Sequence, residues 1–185
     1  MVAEATRLDA LDVDIVAMRR RHLRQVLKIE AQVYPRPWTL GLFMSELALR
    51  TQRVYLVAKV GGSVVGYAGL MLTGDDGHVT TIAVDPAWHR RGIGTRLLLA
   101  LSRAGIVRQC HGLTLEVRMS NESAQAMYRR FGYVPAGVRK GYYAETNEDA
   151  LVMGAHVVDL PAYEDRLRGI EVTLTGSTTI EDGIL

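Results

Sequence analysis

Cysteine is almost missing from this chain of 185 residues. Cys110 is the single one, so no internal disulfide can form and a reducing cytoplasm is the expected compartment. Charge of one sign is equally scarce. Twenty-two Lys and Arg against 20 Asp and Glu leave a formal +2, too little for a protein that holds nucleic acid by bulk electrostatics. Long apolar runs are absent too. The longest uncharged stretch, Val60 to Gly74, is interrupted by Gly61, Gly62, Gly66 and Gly69 and falls short of the ~20 residues a spanning helix needs, so no membrane segment is expected. Met1 leads into a charged segment instead of the basic stub and apolar stretch of a secretory signal.

What the chain does have is core material. Hydrophobic residues make up 48% and charged residues 23%, a globular composition. At roughly 150 residues per domain the length gives about one domain with a small surplus.

The periodicities order the elements. Residues 1–12 read as a loose N-terminal arm. Val13, Ile15 and Ala17 alternate as a strand does, and Leu23, Val26, Leu27 and Val33 recur at helical spacing. Arg19, Arg20, Arg21 and Arg24 read as a solvated face or as an anion site at the start of that helix, the first favoured because helix starts generally favour negative charge. A proline-punctuated aromatic loop, Tyr34-Pro35-Arg36-Pro37-Trp38, precedes Thr39, which caps a second helix running to Leu49. Val54–Val60 and Ser63–Leu72 form a hairpin about Gly61-Gly62. After a polar loop, Thr73 to Gly77, come a strand His78–Val84, a helix from Gly92 to about Arg108 and a strand Leu113–Val117. A short helix Ser123–Phe131 and strands Tyr133–Val138 and Ala150–Val157 follow. Such alternation predicts an α/β fold with a parallel crossover between the strands at 78 and 113. In the final stretch Tyr163, Leu167 and Ile170 fit a docking helix, while Gly176–Thr179 and Glu181–Gly183 read as flexible.

The most informative segment joins a strand to a basic turn that opens a helix: Ile82-Ala83-Val84-Asp85-Pro86, then His89-Arg90-Arg91-Gly92-Ile93-Gly94-Thr95. Glycines let the backbone approach an anion, first-turn amides lack intrahelical partners, and the helix dipole adds positive potential. A pyrophosphate cradle has these properties, although glycines also serve tight turns. Two other phosphate motifs fail. Gly66 is followed by Tyr67-Ala68, not the Lys-Ser or Lys-Thr of a Walker loop, and Leu97 stands where a dinucleotide fingerprint needs its third glycine.

Taken together, the segment His89–Gly94 after Ile82–Pro86 resembles the acetyl-CoA motif of the GNAT superfamily of N-acetyltransferases, written Gln/Arg-x-x-Gly-x-Gly/Ala. Leu115-Glu116-Val117-Arg118-Met119-Ser120-Asn121, Ala126–Tyr133, Gly141-Tyr142-Tyr143 and Glu148–Met153 match as well. The combination resembles the branch of ribosomal-protein alanine N-acetyltransferases, the RimI type, and covers about residues 13–156. The likeness implies a mixed sheet of about seven strands with splayed central parallel strands and about four helices. It also implies residues 13–156 as the catalytic domain and 157–185 as a C-terminal tail. His89 departs from the pattern, standing where the motif has Gln or Arg.

The resemblance assigns roles. Acetyl-CoA is the implied donor, with no metal. Pantetheine would pair with the backbone of Ala83 and Val84 beside Ile82, and a backbone amide would polarise the thioester carbonyl, where negative charge develops. The turn residues, His89 through Thr95, would hold the phosphates. Glu116 matches the position of a general base acting through water. Such a weak base suffices for an α-amine of pKa about 8, which is about a tenth neutral at pH 7. Tyr128 matches the tyrosine that protonates the departing thiolate, and Asn121 a cofactor contact. Tyr34, Pro37, Trp38, Tyr142 and Tyr143 match the two segments flanking an acceptor. Each has an ordinary reading beside it: Glu116 as a strand glutamate, Tyr128 as helix packing, Asn121 as an N-cap, the aromatics as covers for the core.

The expected acceptor is the N-terminus of a protein, a ribosomal protein beginning with alanine. A lysine side chain or small-molecule amine is the second reading, and a non-catalytic acyl-CoA-binding domain a third, against which the presence of both Glu116 and Tyr128 speaks. The five histidines have no paired ligand spacing for a metal.

Overall fold

The structure, a computed structural model, describes residues 10–185. Strand β1 (Leu11–Ala17) leads through a 3-10 turn into helix α1 (Leu23–Val33), and Thr39 caps helix α2 (Leu40–Ala48) by accepting from Leu42 N. Strands β2 (Arg53–Val60), β3 (Ser63–Thr73) and β4 (Asp76–Val84) form an antiparallel meander. Helix α3 (Ile93–Val107) crosses to strand β5 (Gly112–Arg118), parallel to β4, as the crossover reading expects. Helix α4 (Glu122–Arg130), strands β6 (Val134–Tyr143) and β7 (Glu148–His156), helix α5 (Pro161–Glu171) and strand β8 (Gly176–Ile180) complete the order. The eight strands make one mixed sheet, β6-β7-β5-β4-β3-β2-β1-β8.

Side chains alternating across each strand divide the interior into two cores. On β2, Val54, Leu56 and Ala58 face the core beneath α3, α4 and α5, while Tyr55 and Val57 face the one beneath α1 and α2. With both faces covered, β3 is buried continuously from Val64 to Leu70. Helix α3 lies between the sheet and α5, which is why Leu97, Leu98 and Leu101 are almost wholly enclosed, each adding ~1.5–3 kcal/mol of burial.

Several boundaries differ from the sequence reading. Strand β4 starts at Asp76, so the polar loop shrinks to a tight turn at Gly74 and Asp75. Strand β6 runs on to Tyr143, which puts Tyr142 and Tyr143 at a strand end and not on a loop. Of the expected N-terminal arm, residues 1–9 lie outside the described residues, and Leu11 and Asp12 belong to β1. Downstream of 157 the chain folds back. Tyr163, Leu167 and Ile170 dock α5 as the spacing predicts, and Arg103 on α3 holds Glu164 and Glu171 at 3.0 and 2.8 Å. The flexible reading of Gly176–Thr179 is overturned: this segment pairs in parallel with β1, Leu11 opposite Gly176 through Ile15 opposite Ile180. Glycine and threonine are weak local signals, and the partner strand lies at the other end of the chain. The tail thereby supplies the eighth strand and the fifth helix.

Candidate active site

Two central strands part here. Strands β4 and β5 pair only from Asp76 opposite Gly112 to Val79 opposite Leu115. Just beyond, the β3 partners jump from Val79 to Thr81, leaving Thr80 as an extra residue that bends β4 away. The stretch Thr80–Val84 therefore faces a fork, and backbone polar groups freed from a ladder need other partners. Tyr34 donates its hydroxyl to the Ile82 carbonyl at 3.1 Å, and His89 Nε2 donates to the Val84 carbonyl at 2.9 Å. The departure from the motif thus has a structural result: the His89 ring ties the turn to β4.

The turn is shaped for an anion. Asp85 caps a 3-10 turn through Ala87 N, and then Arg90 (φ 62°) and Gly92 (φ 76°) both adopt the left-handed region. A side chain at Gly92 would meet Arg96 and Leu174 below 3.0 Å, so this glycine answers to packing. Gly94 is different. A Cβ there would stand at ordinary contact, 3.6 Å from Met127 and 3.8 Å from Val84, so the protein itself does not require glycine. What the missing side chain leaves open is the cleft between those two residues. No side chain caps α3, so its first amides remain available to a ligand, with the helix dipole behind them.

Every residue expected to hold the donor, from Ile82, Ala83 and Val84 through His89–Thr95 to Asn121 and Tyr128, lines one cleft of about 710 Å³. Its size and mixed polar and apolar lining fit a cofactor-sized ligand. Ile93 enters through its backbone, since its side chain is buried in the core. Arg90 reaches across to Ser123 at 3.3 Å, and Arg91 lies over the Trp88 ring. Asn121 caps α4 by accepting from Ala124 N, so the N-cap reading holds. Tyr128 packs on Tyr133 at 5.8 Å and is 4% exposed. Burial, with Tyr34 and Tyr143 nearby, pushes its phenol well above the ordinary range, so it remains protonated and able to donate.

Glu116 lies outside the walls of this cleft, on the face of β5 opposite to Leu115 and Val117, which enter the core. Its side chain is 7% exposed, with His78 Nε2 at 2.9 Å from Oε2 and Arg139 at 3.2 Å from Oε1. Thr114 Oγ1, 2.9 Å from His78 Nδ1, orients the ring. Tyr142 and Tyr143 stack edge to face at 5.1 Å, with Arg139 over the first ring and Arg118 over the second. Arg118 also binds Glu145 and Glu148, fixing the β6–β7 turn. Burial raises the Tyr143 phenol to about 12. On the other segment Pro37 is exposed, while Trp38 packs on Phe43 at 5.3 Å and donates its backbone N–H to the buried Glu30. Trp38 is thus partly a cover for the second core.

The sequence reading missed His78, Arg139, Arg118 and Glu30, and, at the cleft, Arg96, Arg130 and Thr173–Thr175. Of these, Arg118, inside the matched Leu115–Asn121 segment, and Arg130, inside the matched Ala126–Tyr133 segment, carried a local signal. No group of three metal-ligating side chains occurs among the described residues.

The model of the Acetyltransferase (GNAT) family matches residues 23–133, and the chain belongs to that family; it is an acetyltransferase enzyme. RimI-type enzymes are among its most similar relatives in the family. It is 38% identical over 154 residues to an N-alpha-acetyltransferase RimI of Mycobacterium tuberculosis, covering 78% of this chain and 93% of that one. It is 32% identical over 141 residues to a ribosomal protein bS18-alanine N-acetyltransferase of Escherichia coli, covering 75% and 94%. The crystal structure of that Escherichia coli enzyme superposes with a TM-score of 0.72 at 28% identity, over 78% of this chain and 94% of that one.

Proposed function

We propose that this protein transfers an acetyl group from acetyl-CoA to the N-terminal α-amine of a protein, a ribosomal protein beginning with alanine. The observation that carries the reading is one continuous cleft lined by the uncapped α3 turn, the freed stretch of β4 and Tyr128. The two RimI-type relatives, one of them named for alanine of ribosomal protein bS18, support the acceptor. Residues 13–156 would form the catalytic unit. No helix among the described residues is long and apolar enough to cross a membrane, and the cytoplasm is the proposed location.

The residues divide the work. Amides of Arg90 to Thr95, with Arg90 and Arg91 beside them, would hold the donor's phosphates. The backbone of Ala83 and Val84 would align the pantetheine arm, with the Val84 carbonyl shared with His89. When bound, acetyl-CoA supplies an activated thioester. Glu116 takes the amine proton through water, Arg139 and His78 hold its carboxylate in place, and His78, partly exposed, offers the proton a way out. Tyr128 gives its phenolic proton to the departing sulfur. Tyr34, Pro37, Trp38, Tyr142 and Tyr143 would flank the acceptor peptide.

The test follows thiol release from acetyl-CoA with peptides beginning in Ala, Ser or Met and with an N-terminally blocked lysine peptide. Turnover on the Ala peptide is expected. Turnover confined to the blocked peptide would move the reading to lysine side chains.

A further inference from the structure

The family match ends at residue 133, yet the cleft's wall does not. Thr173, Leu174 and Thr175, in the connection between α5 and β8, line it beside Arg130, whose guanidinium donates to Thr173 Oγ1 at 3.2 Å. One residue ties this wall to the turn. Arg96, on the first turn of α3, is 1% exposed and lines the same cleft. Its Nη2 donates to the Thr175 carbonyl at 2.6 Å, its Nε to Thr178 Oγ1 at 2.9 Å and its Nη1 to the Arg91 carbonyl at 3.3 Å. A single guanidinium thus spans the anion-shaped turn and the C-terminal segment. None of these partners is an acid, and among the described residues Arg96 forms no ion pair. A buried cation is costly without a counter-charge, and the cleft it lines is the one read above as holding phosphates.

We propose that the C-terminal segment from Thr173 to Thr178 is a working part of the donor site. It walls the phosphate-binding end of the cleft, and Arg96 acts as a positioning residue that locks wall and turn together while its charge is answered by the donor's phosphates. This rests on the acetyl-CoA reading. The segment therefore sets affinity for the phosphorylated part of the donor, with no role at the reacting atoms.

The experiment uses the full chain and three variants, Arg96→Met, Thr178→Val and Leu174→Ala. Calorimetry measures CoA binding, and initial rates are taken with acetyl-CoA and with acetyl-pantetheine, which carries no phosphate. Arg96→Met is expected to raise KM for acetyl-CoA about 10-fold or more, because the turn and the wall lose their shared anchor and the phosphates a nearby positive charge, and the other two by a few-fold. Saturated kcat, KM for the peptide and kcat/KM for acetyl-pantetheine should hold within about twofold. Thr178→Val and Leu174→Ala decide the matter if Arg96→Met does not fold. Unchanged donor KM in those two, or equal losses with acetyl-pantetheine, would overturn the inference. Failure of the unsubstituted protein to bind CoA would instead overturn the acetyl-CoA reading, and this inference with it.

Discussion

His78 Nε2 stands 2.9 Å from Glu116 Oε2, joining neighbouring strands that separate one residue later. The carboxylate read as the base is therefore held in place from below the fork. Glu116→Gln should lower kcat about 10²-fold at pH 7, the usual worth of a general base. His78→Ala should cost less, because Arg139 still holds the carboxylate. Steady-state rates check both, and a Glu116→Gln rate near that of the unsubstituted protein would remove Glu116 from proton transfer.

Tyr128 gives a second prediction. Its phenol is raised by burial, so the acid form persists through the physiological range. A raised pKa means the proton is kept as pH rises, so rates should climb with deprotonation of the acceptor amine and not fall at pH 9 through loss of this acid. Tyr128→Phe should lower kcat about 10²-fold across that range. A pH–rate profile with a descending limb near pH 9 in the unsubstituted protein, missing in Tyr128→Phe, would contradict the raised value.

Gly94 separates ligand from packing. Gly94→Val keeps an ordinary backbone and fills the opening between Met127 and Val84, whereas any side chain at Gly92 is strained as well as crowded. Gly94→Val should weaken CoA binding about 10-fold or more with thermal stability changed by less than about 1 kcal/mol, since valine is no worse a helix former than glycine. Calorimetry and thermal melts measure the two quantities.

Glu30 makes a prediction about stability. It is 2% exposed, one carboxylate oxygen accepts from Trp38 N, and Oε2 has no partner among the described residues. Burial raises its pKa above the ordinary 4.5. A carboxyl raised on folding favours the folded state below its unfolded pKa and loses that advantage as pH climbs through the folded value. Ionised Glu30 is thus a cost at pH 7, and Glu30→Gln, whose amide oxygen can still accept from Trp38, should be more stable there by about 1 kcal/mol. The difference should close below pH 4.5, as urea titrations at pH 7 and pH 4 would measure.

The parts legible in the sequence were those carried by neighbours in the chain. His89–Gly94 after a β-branched strand fixes the turn by backbone rules alone, and Leu97, Leu98 and Leu101 announce α3 by period. What escaped depends on register between distant segments. His78 meets Glu116 only because β4 and β5 pair in one alignment that sets Thr114 opposite His78, 36 positions apart in the chain. The splay was expected from resemblance, but its cause, the extra residue Thr80, has no local signature. Arg96 gives no sign among its neighbours that its guanidinium will reach Thr175 and Thr178. Nor does Gly176–Ile180 declare a strand until β1 is beside it.

The most direct test of the account is to identify the acetylated atom. An alanine-initiated peptide that also contains an internal lysine is incubated with the protein and acetyl-CoA, and the product is sequenced by tandem mass spectrometry. The account predicts a single acetyl group on the alanine α-nitrogen. An acetyl group on the lysine ε-nitrogen with the α-amine left free would contradict it.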